Sequence, residues 1–500
     1  MTTVSTLIIG AGFSGLGTAA RLRAAGIDDL LIVERADRVG GTWRDTTYPG
    51  AACDIPSLLY SFSFAQNPTW SRAYSPAAEI CAHLEQFTDD HDLRRNIRFG
   101  ETVEALRFDA AAGEWEVDTS TGETFRARTV VVASGPLSDA SLPDIRGIDS
   151  YQGRKILSAR WEAGYDGRGE HVAVVGTGAS AIQIIPELVK TAASVKVFQR
   201  TPAWVLPRTD FATPALAKTV FARVPAAQHA ARSALFAAHE VAATGLVWDS
   251  PVTTLVQRVA LRHLRRQVPD PWLRRQLTPQ FRAGCKRMLV SSDYYPALQQ
   301  DNCKLITWPI ATLRPDGLRT SDGVEHKLDS IVFATGYDAH LDGPPYPITG
   351  LDGRELVDDW AGHAQAYKSV HTAGYPNLFF TTGPNSGPGH NSLLVYLEGQ
   401  IHYIVRAIKT VLDRDLSYLD VRADVQQRYN THIQRRLRRT TWMSGCTSWY
   451  LTADGYNASM YPGFATQYLA QMRNFRLTDY RLVERAEQHE RRRAALVRAG

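Results

Sequence analysis

The chain has 500 residues, 44% of them hydrophobic, and this length predicts two or three domains with large cores. Its 56 basic and 51 acidic residues leave a net charge of +5, too weak over this length to indicate a nucleic-acid-binding protein. The five cysteines are far apart and form no CxxC pair, which argues against a disulfide framework or a zinc site and favours a reducing, cytoplasmic compartment. No apolar stretch of about 18 uncharged residues occurs, so we expect no membrane span.

The first element in the chain is an apolar, β-branched run that breaks into glycines. The sequence TLIIGAGFSGLG contains a G-x-G-x-x-G motif, formed by Gly10, Gly12 and Gly15, before a helical stretch. Such glycines allow a tight turn and let the helix N-terminus face a pyrophosphate. A second strand, LLIVE, ends 24 residues after Gly10 in Glu34, whose carboxylate suits a ribose hydroxyl. Together these residues predict an FAD site.

A second motif of the same kind follows in HVAVVGTGASAIQ, with Gly176, Gly178 and Ala181. Small Ala181 can replace the third glycine, which packs the helix against the strand. The next strand, VKVFQR, ends 24 residues after Gly176 in Arg200, where the first unit has Glu34. Because a guanidinium suits a 2′-phosphate that a carboxylate would repel, we predict NADPH at this second site. An ordinary exposed arginine at a strand end is the alternative for Arg200.

The strands VVVASG and IVFATG each close one of these two nucleotide-binding units. The sequence therefore predicts an α/β fold with two interleaved Rossmann-like dinucleotide-binding domains and a helical insertion. The insertion at 211–280 is rich in Ala, Leu and Arg at helical spacing, and we expect a lid or packing element rather than a membrane anchor. The predicted boundaries are an FAD-binding domain at 1–137, a linker at 138–165, an NADPH-binding domain at 166–330, and a return to the FAD-binding domain with a C-terminal segment at 331–500.

Further motifs resemble those of the class B flavoprotein monooxygenases, the group of Baeyer–Villiger monooxygenases and flavin-containing monooxygenases. The resemblance covers nearly the whole chain and implies FAD and NADPH as cofactors and O2 as a cosubstrate. The motifs are GGTW at 40–43, YPGAACDIPSLLYSFSF at 48–64, GCKRMLVSSDYYPAL at 284–298, PNLFFTTGPNSGPGHNS at 376–392 and the C-terminal SGCTSWY at 444–450.

The resemblance also implies the residues of the site. Arg287 matches the family's active-site arginine and Asp54 the acid that pairs with it; the alternatives are a solvated surface cation and a turn-forming aspartate. Trp449 matches a tryptophan that closes over the nicotinamide. On the FAD side the matching positions are Gly10, Gly12, Gly15, Glu34, Gly41, Thr42, Trp43, Asp54 and Tyr60. On the NADPH side they are Thr177, Gly178, Ala179, Ser180, Gln183, Arg200, Thr201 and Lys286.

The implied reaction is the Baeyer–Villiger oxidation of a small-molecule ketone to an ester or lactone, in which Arg287 stabilises a C4a-peroxyflavin anion. The alternatives are S- or N-oxygenation of a soft heteroatom by a C4a-hydroperoxyflavin, and an uncoupled NADPH oxidase or redox sensor. One segment departs from the family's Phe-x-Gly-x-x-x-His-x-x-x-Trp fingerprint, since YQGRKILSARWE has Tyr151 for Phe and Leu157 for His. We expect this loss to affect coupling between the domains. The sequence indicates neither the substrate nor the oligomeric state.

Overall fold

The computed structural model describes residues 2–137, 139–140, 142–338 and 343–485. The predicted linker at 138–165 and the predicted last segment at 331–500 therefore extend partly outside the described residues. The secondary structure consists mainly of two α/β units, each built around a sheet whose central strands are parallel.

The first unit is built on an eight-stranded sheet. Its central strand, Thr2–Ile9, pairs in parallel with Leu30–Glu34 on one side and Thr124–Val132 on the other. Their buried apolar runs are typical of parallel strands covered on both faces. The strands lie in the order Ile348–Thr349, Val103–Asp109, Glu114–Thr119, Thr124–Val132, Thr2–Ile9, Leu30–Glu34 and Ile97–Phe99, and Leu378–Phe380 also pairs with Thr124–Val132.

The second unit is a five-stranded sheet in which every pairing is parallel. Its edge strand, Arg154–Leu157, pairs with Ser330–Phe333, so part of the segment that we predicted as a linker belongs to this sheet. The domain boundaries themselves stay predictions. The strands lie in the order Cys303–Ile306, Ser194–Phe198, His171–Val175, Ser330–Phe333 and Arg154–Leu157.

The insertion at 211–280 contains four helices, Ala215–Arg223, Pro225–Leu246, Pro251–Gln267 and Pro271–Gln276. The longest of them is tied to the first unit by two charged side chains. Buried Arg232 donates to the carbonyl oxygens of Leu58 and Leu59 and to the Glu398 carboxylate. Among the described residues, no helix combines the length and the hydropathy needed to cross a membrane.

The other described helices and strands surround these units. The helices are Phe13–Ala24, Thr42–Asp45, Ala77–Asp90, Ala181–Leu188, Tyr294–Ala297, Leu356–Trp360, Leu393–Asp413, Ala423–Leu437 and Ala465–Arg473, with 3-10 turns at Arg94–Asn96, Ile148–Ser150, Leu351–Gly353, Thr441–Met443 and Leu477–Asp479. The strand pairs are Asp139–Ala140 with Tyr337–Asp338, Val205–Leu206 with Leu289–Val290, and Leu416–Val421 with Tyr480–Glu484; Ile310–Arg314, Gly317–Thr320 and Glu325–Lys327 form a three-stranded sheet.

Glu240 is the second charged side chain, after Arg232, that ties the longest helix of the insertion to the rest of the fold. A low pH should weaken this attachment. The Glu240 carboxylate accepts the backbone N–H groups of Ala465 and Thr466, at 2.9 and 3.0 Å, and lies 3.0 Å from Nε2 of His390. Burial raises the pKa of Glu240, but these hydrogen bonds outweigh burial and lower that pKa from 4.5 to about 2. Such a group stabilises the fold above its unfolded pKa and loses that contribution as the pH falls through its folded pKa.

We expect Glu240→Gln to destabilise the protein by up to about 3.5 kcal/mol at neutral pH, since the pKa is lowered from 4.5 to about 2 and each pKa unit corresponds to about 1.4 kcal/mol. The variant should also show a smaller loss of thermal stability than the native protein between pH 4.5 and about 2, the range set by the two pKa values. Thermal melts over this range make the measurement, with Glu325→Gln, at an exposed carboxylate, as the control. Equal slopes for native protein and Glu240→Gln would contradict the assignment.

Candidate functional site

The first glycine motif forms the turn between the strand Thr2–Ile9 and the helix Phe13–Ala24. Gly10 has a φ of +106°, and a Cβ there would lie 2.7 Å from the carbonyl oxygen of Ala133. A Cβ at Gly15 would lie 1.8 Å from the carbonyl oxygen of Gly10. A side chain at either position would collide with the backbone of the turn. Glycine is therefore needed for the turn to take the shape that cradles a pyrophosphate at a helix N-terminus.

Glu34 is buried at the end of the next strand and is held beside this turn. Its carboxylate accepts the Ala11 N–H at 2.7 Å and the Nη1 of Arg44 at 2.9 Å. The sequence did not predict the role of Arg44, which orients the acid. The carboxylate therefore lies where a dinucleotide's ribose binds in such a unit.

The GGTW segment packs directly on the glycine turn. A Cβ at Gly41 would lie 3.1 Å from the Cα of Gly12, so the two backbones approach closely. The short helix Thr42–Asp45 starts here, and the Nε1 of Trp43 donates to the Tyr60 hydroxyl at 3.0 Å. These predicted FAD-side residues, separate in the sequence, are thus brought together.

The second glycine motif repeats the geometry of the first. Gly176 has a φ of +117°, and a Cβ there would lie 2.5 Å from the carbonyl oxygen of Ala334. The Thr177 hydroxyl donates to the carbonyl oxygen of Thr201 at 3.1 Å, which joins two predicted site residues. The predicted residues Gly178, Ala179 and Ser180 form the turn that leads into the helix Ala181–Leu188.

Gln183 lies where the two units meet. Its Oε1 accepts the Tyr48 hydroxyl and its Nε2 donates to the carbonyl oxygen of Ala52, both at 2.9 Å. A Cβ at Gly50, whose φ is +80°, would lie 2.7 Å from the carbonyl oxygen of Gln183. Gln183 therefore joins the FAD-side loop to the NADPH-side helix, and its direct contact with NADPH stays a prediction.

Arg200 and Lys286 form a pair of like charges at the edge of the second sheet. They are 86 residues apart in the sequence. Burial and the positive charge of Arg200 lower the pKa of Lys286, so the two cations lie close enough to repel. In the described part of the chain, neither one forms a salt bridge with a carboxylate. Such a pair of cations suits a phosphate, which would relieve the repulsion.

Asp54 and Arg287 form a bidentate ion pair. The Nε and Nη2 of Arg287 each donate to one carboxylate oxygen of Asp54, both at 2.7 Å. The Arg287 side chain is 43% exposed and that of Asp54 is 25% exposed. Burial raises the pKa of Asp54, but Arg287 outweighs burial and holds that pKa below its ordinary value. The guanidinium is therefore fixed in orientation and stays paired at neutral pH.

Two side chains that the sequence did not predict act on this pair. Tyr450 is buried, and its pKa rises to about 12 through burial, with Arg287 opposing the shift and Asp54 adding to it. Arg208 stacks on Tyr74 with its Cζ 5.1 Å from the ring centroid, and its charge lowers the pKa of Asp54 further. The SWY motif could have pointed to Tyr450, but no local signal marks Arg208.

Trp449 lies at the surface beside Tyr450, and two of the five cysteines are bonded to each other. Trp449 is 54% exposed and lies edge-on to Tyr450, with ring centroids 4.6 Å apart. Its predicted contact with the nicotinamide stays a prediction. Cys285 and Cys446 form a disulfide, although the odd number and wide spacing of the cysteines argued against a disulfide framework. Wide spacing in the sequence did not exclude this one bond, because the fold brings together cysteines that are 161 residues apart.

Relatives match the chain over nearly its whole length. A Pseudomonas aeruginosa protein named Baeyer–Villiger monooxygenase is 42% identical over 477 residues, which cover 95% of this chain and 90% of the relative. The chain belongs to the Baeyer–Villiger monooxygenase family. A Streptomyces coelicolor protein, also named Baeyer–Villiger monooxygenase, is 40% identical over 489 residues, which cover 97% of this chain and 93% of that relative. Residues 7–244 also match the family model described as pyridine nucleotide-disulphide oxidoreductase.

A solved structure supports the same assignment. The OTEMO complex with FAD and NADP superimposes with a TM-score of 0.87 at 25% identity, covering 96% of this chain and 99% of that one. This likeness confirms the predicted α/β fold with two Rossmann-like dinucleotide-binding units. The family resemblance read from the motifs is confirmed by the relatives.

Leu157, at the position of the fingerprint histidine, ends the edge strand of the second sheet. We expect Leu157→His to leave the FAD content unchanged, because the predicted FAD-side residues lie in the first unit and Leu157 belongs to the second sheet. The variant should give more product for each NADPH consumed, since a histidine restores the hydrogen-bonding group that the family fingerprint has at this position. Flavin absorbance per protein and the ratio of product to oxidised NADPH make the measurement. Loss of bound flavin would show that this strand supports the FAD site instead.

Proposed function

We propose that this family member is an FAD-dependent monooxygenase that uses NADPH and O2 to convert a small-molecule ketone into an ester or lactone. The observation that carries the proposal is the bidentate Asp54–Arg287 pair, in a chain that also has two glycine turns of dinucleotide-binding shape. A fixed cation is what the insertion of oxygen into a ketone requires, because negative charge develops on the carbonyl oxygen.

The residues present fit both cofactors. Gly10 and Gly15 leave a cradle that a Cβ would fill, and Glu34 is held beside it for a ribose, which suits FAD. Arg200 and Lys286 supply two positive charges for the 2′-phosphate that distinguishes NADPH from NADH. When bound, NADPH supplies a hydride, and the flavin activates O2 for the transfer of one oxygen atom to the substrate.

Arg287 has the geometry to stabilise charge on a substrate oxygen. Asp54 engages Nε and Nη2, and Nη1 has no hydrogen-bond partner among the described residues. This free donor points to Arg287 as the group that binds the ketone oxygen and stabilises it as it becomes negative. Asp54 fixes the direction of the guanidinium and keeps the cation paired before the substrate arrives. Lysine could not replace this arginine, since it lacks the planar fork.

A second candidate is oxygenation of sulfur or nitrogen in a soft heteroatom substrate, which has less need of a fixed cation. Leu157 favours it, because the family fingerprint has a histidine at this position. A panel of cyclic, linear and aryl ketones with thioethers, analysed by mass spectrometry, separates the two. Esters or lactones from the ketones support the proposal, whereas sulfoxides without any ester would favour the second candidate. The cytoplasmic location stays a prediction, and the Cys285–Cys446 disulfide removes part of its basis.

A further inference from the structure

The C-terminal loop, residues 444–450, has few attachments to the rest of the fold. Ser444, Gly445, Thr447 and Trp449 are exposed. Its hydrogen bonds among the described residues are local, such as the Tyr450 N–H to the Ser448 hydroxyl at 3.3 Å. The loop is held elsewhere by only two described features, the disulfide of Cys446 and the burial of Tyr450.

The other end of the disulfide is rigid. Cys285 is fully buried, and the preceding Gly284 has a φ of +90°, with a Cβ position 2.8 Å from the carbonyl oxygen of Leu246. Lys286 and Arg287 follow directly in the sequence, and Arg287 is clamped by Asp54. The disulfide therefore joins an exposed loop to the backbone that presents both cations.

We propose that the Cys285–Cys446 disulfide is a positioning element, which holds Trp449 and Tyr450 beside the two cations and which a dithiol can open. Four residues of extended chain span at most about 14 Å and the two bonded Cα atoms lie 6.2 Å apart, so the bond keeps the loop near the backbone that carries Lys286 and Arg287. Opening is a two-electron reduction: the S–S bond breaks, Cys285 and Cys446 each gain a proton, and the dithiol reductant becomes a disulfide. The consequence for catalysis rests on the proposed function, whereas the consequence for the loop does not.

The expected effect is on the binding of NADPH more than on the chemical step. Lys286 lies next to Cys285 in the sequence, and the loop carries Trp449, so a free loop should leave the NADPH site less ordered. Arg287 keeps its clamp on Asp54 in either state. We therefore expect opening of the disulfide to raise KM for NADPH about five-fold or more, which corresponds to about 1 kcal/mol of binding. The change in kcat should be less than about two-fold.

The test compares the native flavoprotein, before and after dithiothreitol and desalting under nitrogen, with Cys285→Ser, Cys446→Ser and the double variant. Cys303→Ser is the matched control, since it removes a thiol without removing the bond. Denatured native protein should show three reactive thiols before reduction, those of Cys53, Cys81 and Cys303, and five after it. Chymotrypsin should cut at Trp449 several-fold faster in the reduced protein and in all three variants that lack the bond.

The variants also separate positioning from packing. Both single variants and the double variant should show the same rise in KM, because each loses the same bond. Five reactive thiols before reduction would overturn the proposal, as would cleavage at Trp449 that is equally fast with and without the bond. A larger defect in Cys285→Ser than in Cys446→Ser would assign the effect to packing of the buried side chain and overturn it too. Faster cleavage with no ester formed by any protein would refute the proposed function alone.

Discussion

Replacing Arg287 by alanine is expected to lower ester formation from ketones by about 10²–10³-fold, the usual loss when a charge-stabilising donor is removed. The variant should still bind FAD and still be reduced by NADPH, because Arg287 pairs with Asp54 and not with a residue of either glycine turn. As the variant oxidises NADPH, the O2 that it consumes should be released as hydrogen peroxide. Product analysis, flavin content and a peroxide assay make the measurement.

Related variants test the roles of the two partners. Arg287→Lys should restore little activity, since a lysine cannot keep two parallel bonds to Asp54. Asp54→Ala should show a milder loss, because the cation remains but loses its orientation. Arg282→Ala, on the same loop but paired with Asp249, is the matched control and should keep near-native activity. Ester formation at the native rate in Arg287→Ala would refute the role assigned to Arg287.

Replacing Arg200 by alanine is expected to remove most of the preference for NADPH over NADH. A charge-assisted pair with a phosphate contributes about 1.5–3 kcal/mol, so KM for NADPH should rise about 10- to 150-fold with little change in KM for NADH. Lys286→Ala should show the same pattern, because its charge lies close to that of Arg200. Steady-state kinetics with both dinucleotides make the measurement, and Lys190→Ala, whose partner is Glu187, is the control. Equal use of NADH and NADPH by the native enzyme would refute the assignment.

The glycine turns could be predicted from the sequence because their geometry tolerates no other residue. A Cβ at Gly10 or Gly176 would meet a backbone oxygen, so the motif itself reports the shape. The contrast between Glu34 and Arg200 could be read from the sequence for a related reason, and the contact of Arg200 with NADPH stays a prediction. Parallel strands end at the same edge of a sheet, and the same spacing from each glycine leads to the residue that faces the ribose.

The parts that sequence reasoning missed are contacts between distant segments. The disulfide, the approach of Tyr450 to Asp54 and Arg287, and the charge of Arg208 all join residues that are far apart in the sequence. No periodicity or spacing encodes such contacts. Gln183 adds a contact of this kind, since its side chain bonds to the neighbouring unit, while the cofactor contact that its motif suggested stays a prediction.

The most direct test of the proposed activity is the fate of labelled oxygen. Purified flavoprotein, NADPH and a ketone panel are incubated under isotopically labelled dioxygen, and the masses of the products are measured by mass spectrometry. We expect an ester or lactone that carries one labelled atom and forms in step with NADPH oxidation in the native protein, and about 10²–10³-fold less of it from Arg287→Ala. The proposed activity would be contradicted if NADPH were consumed while the ketone was recovered in full and unlabelled, with all of the label in hydrogen peroxide.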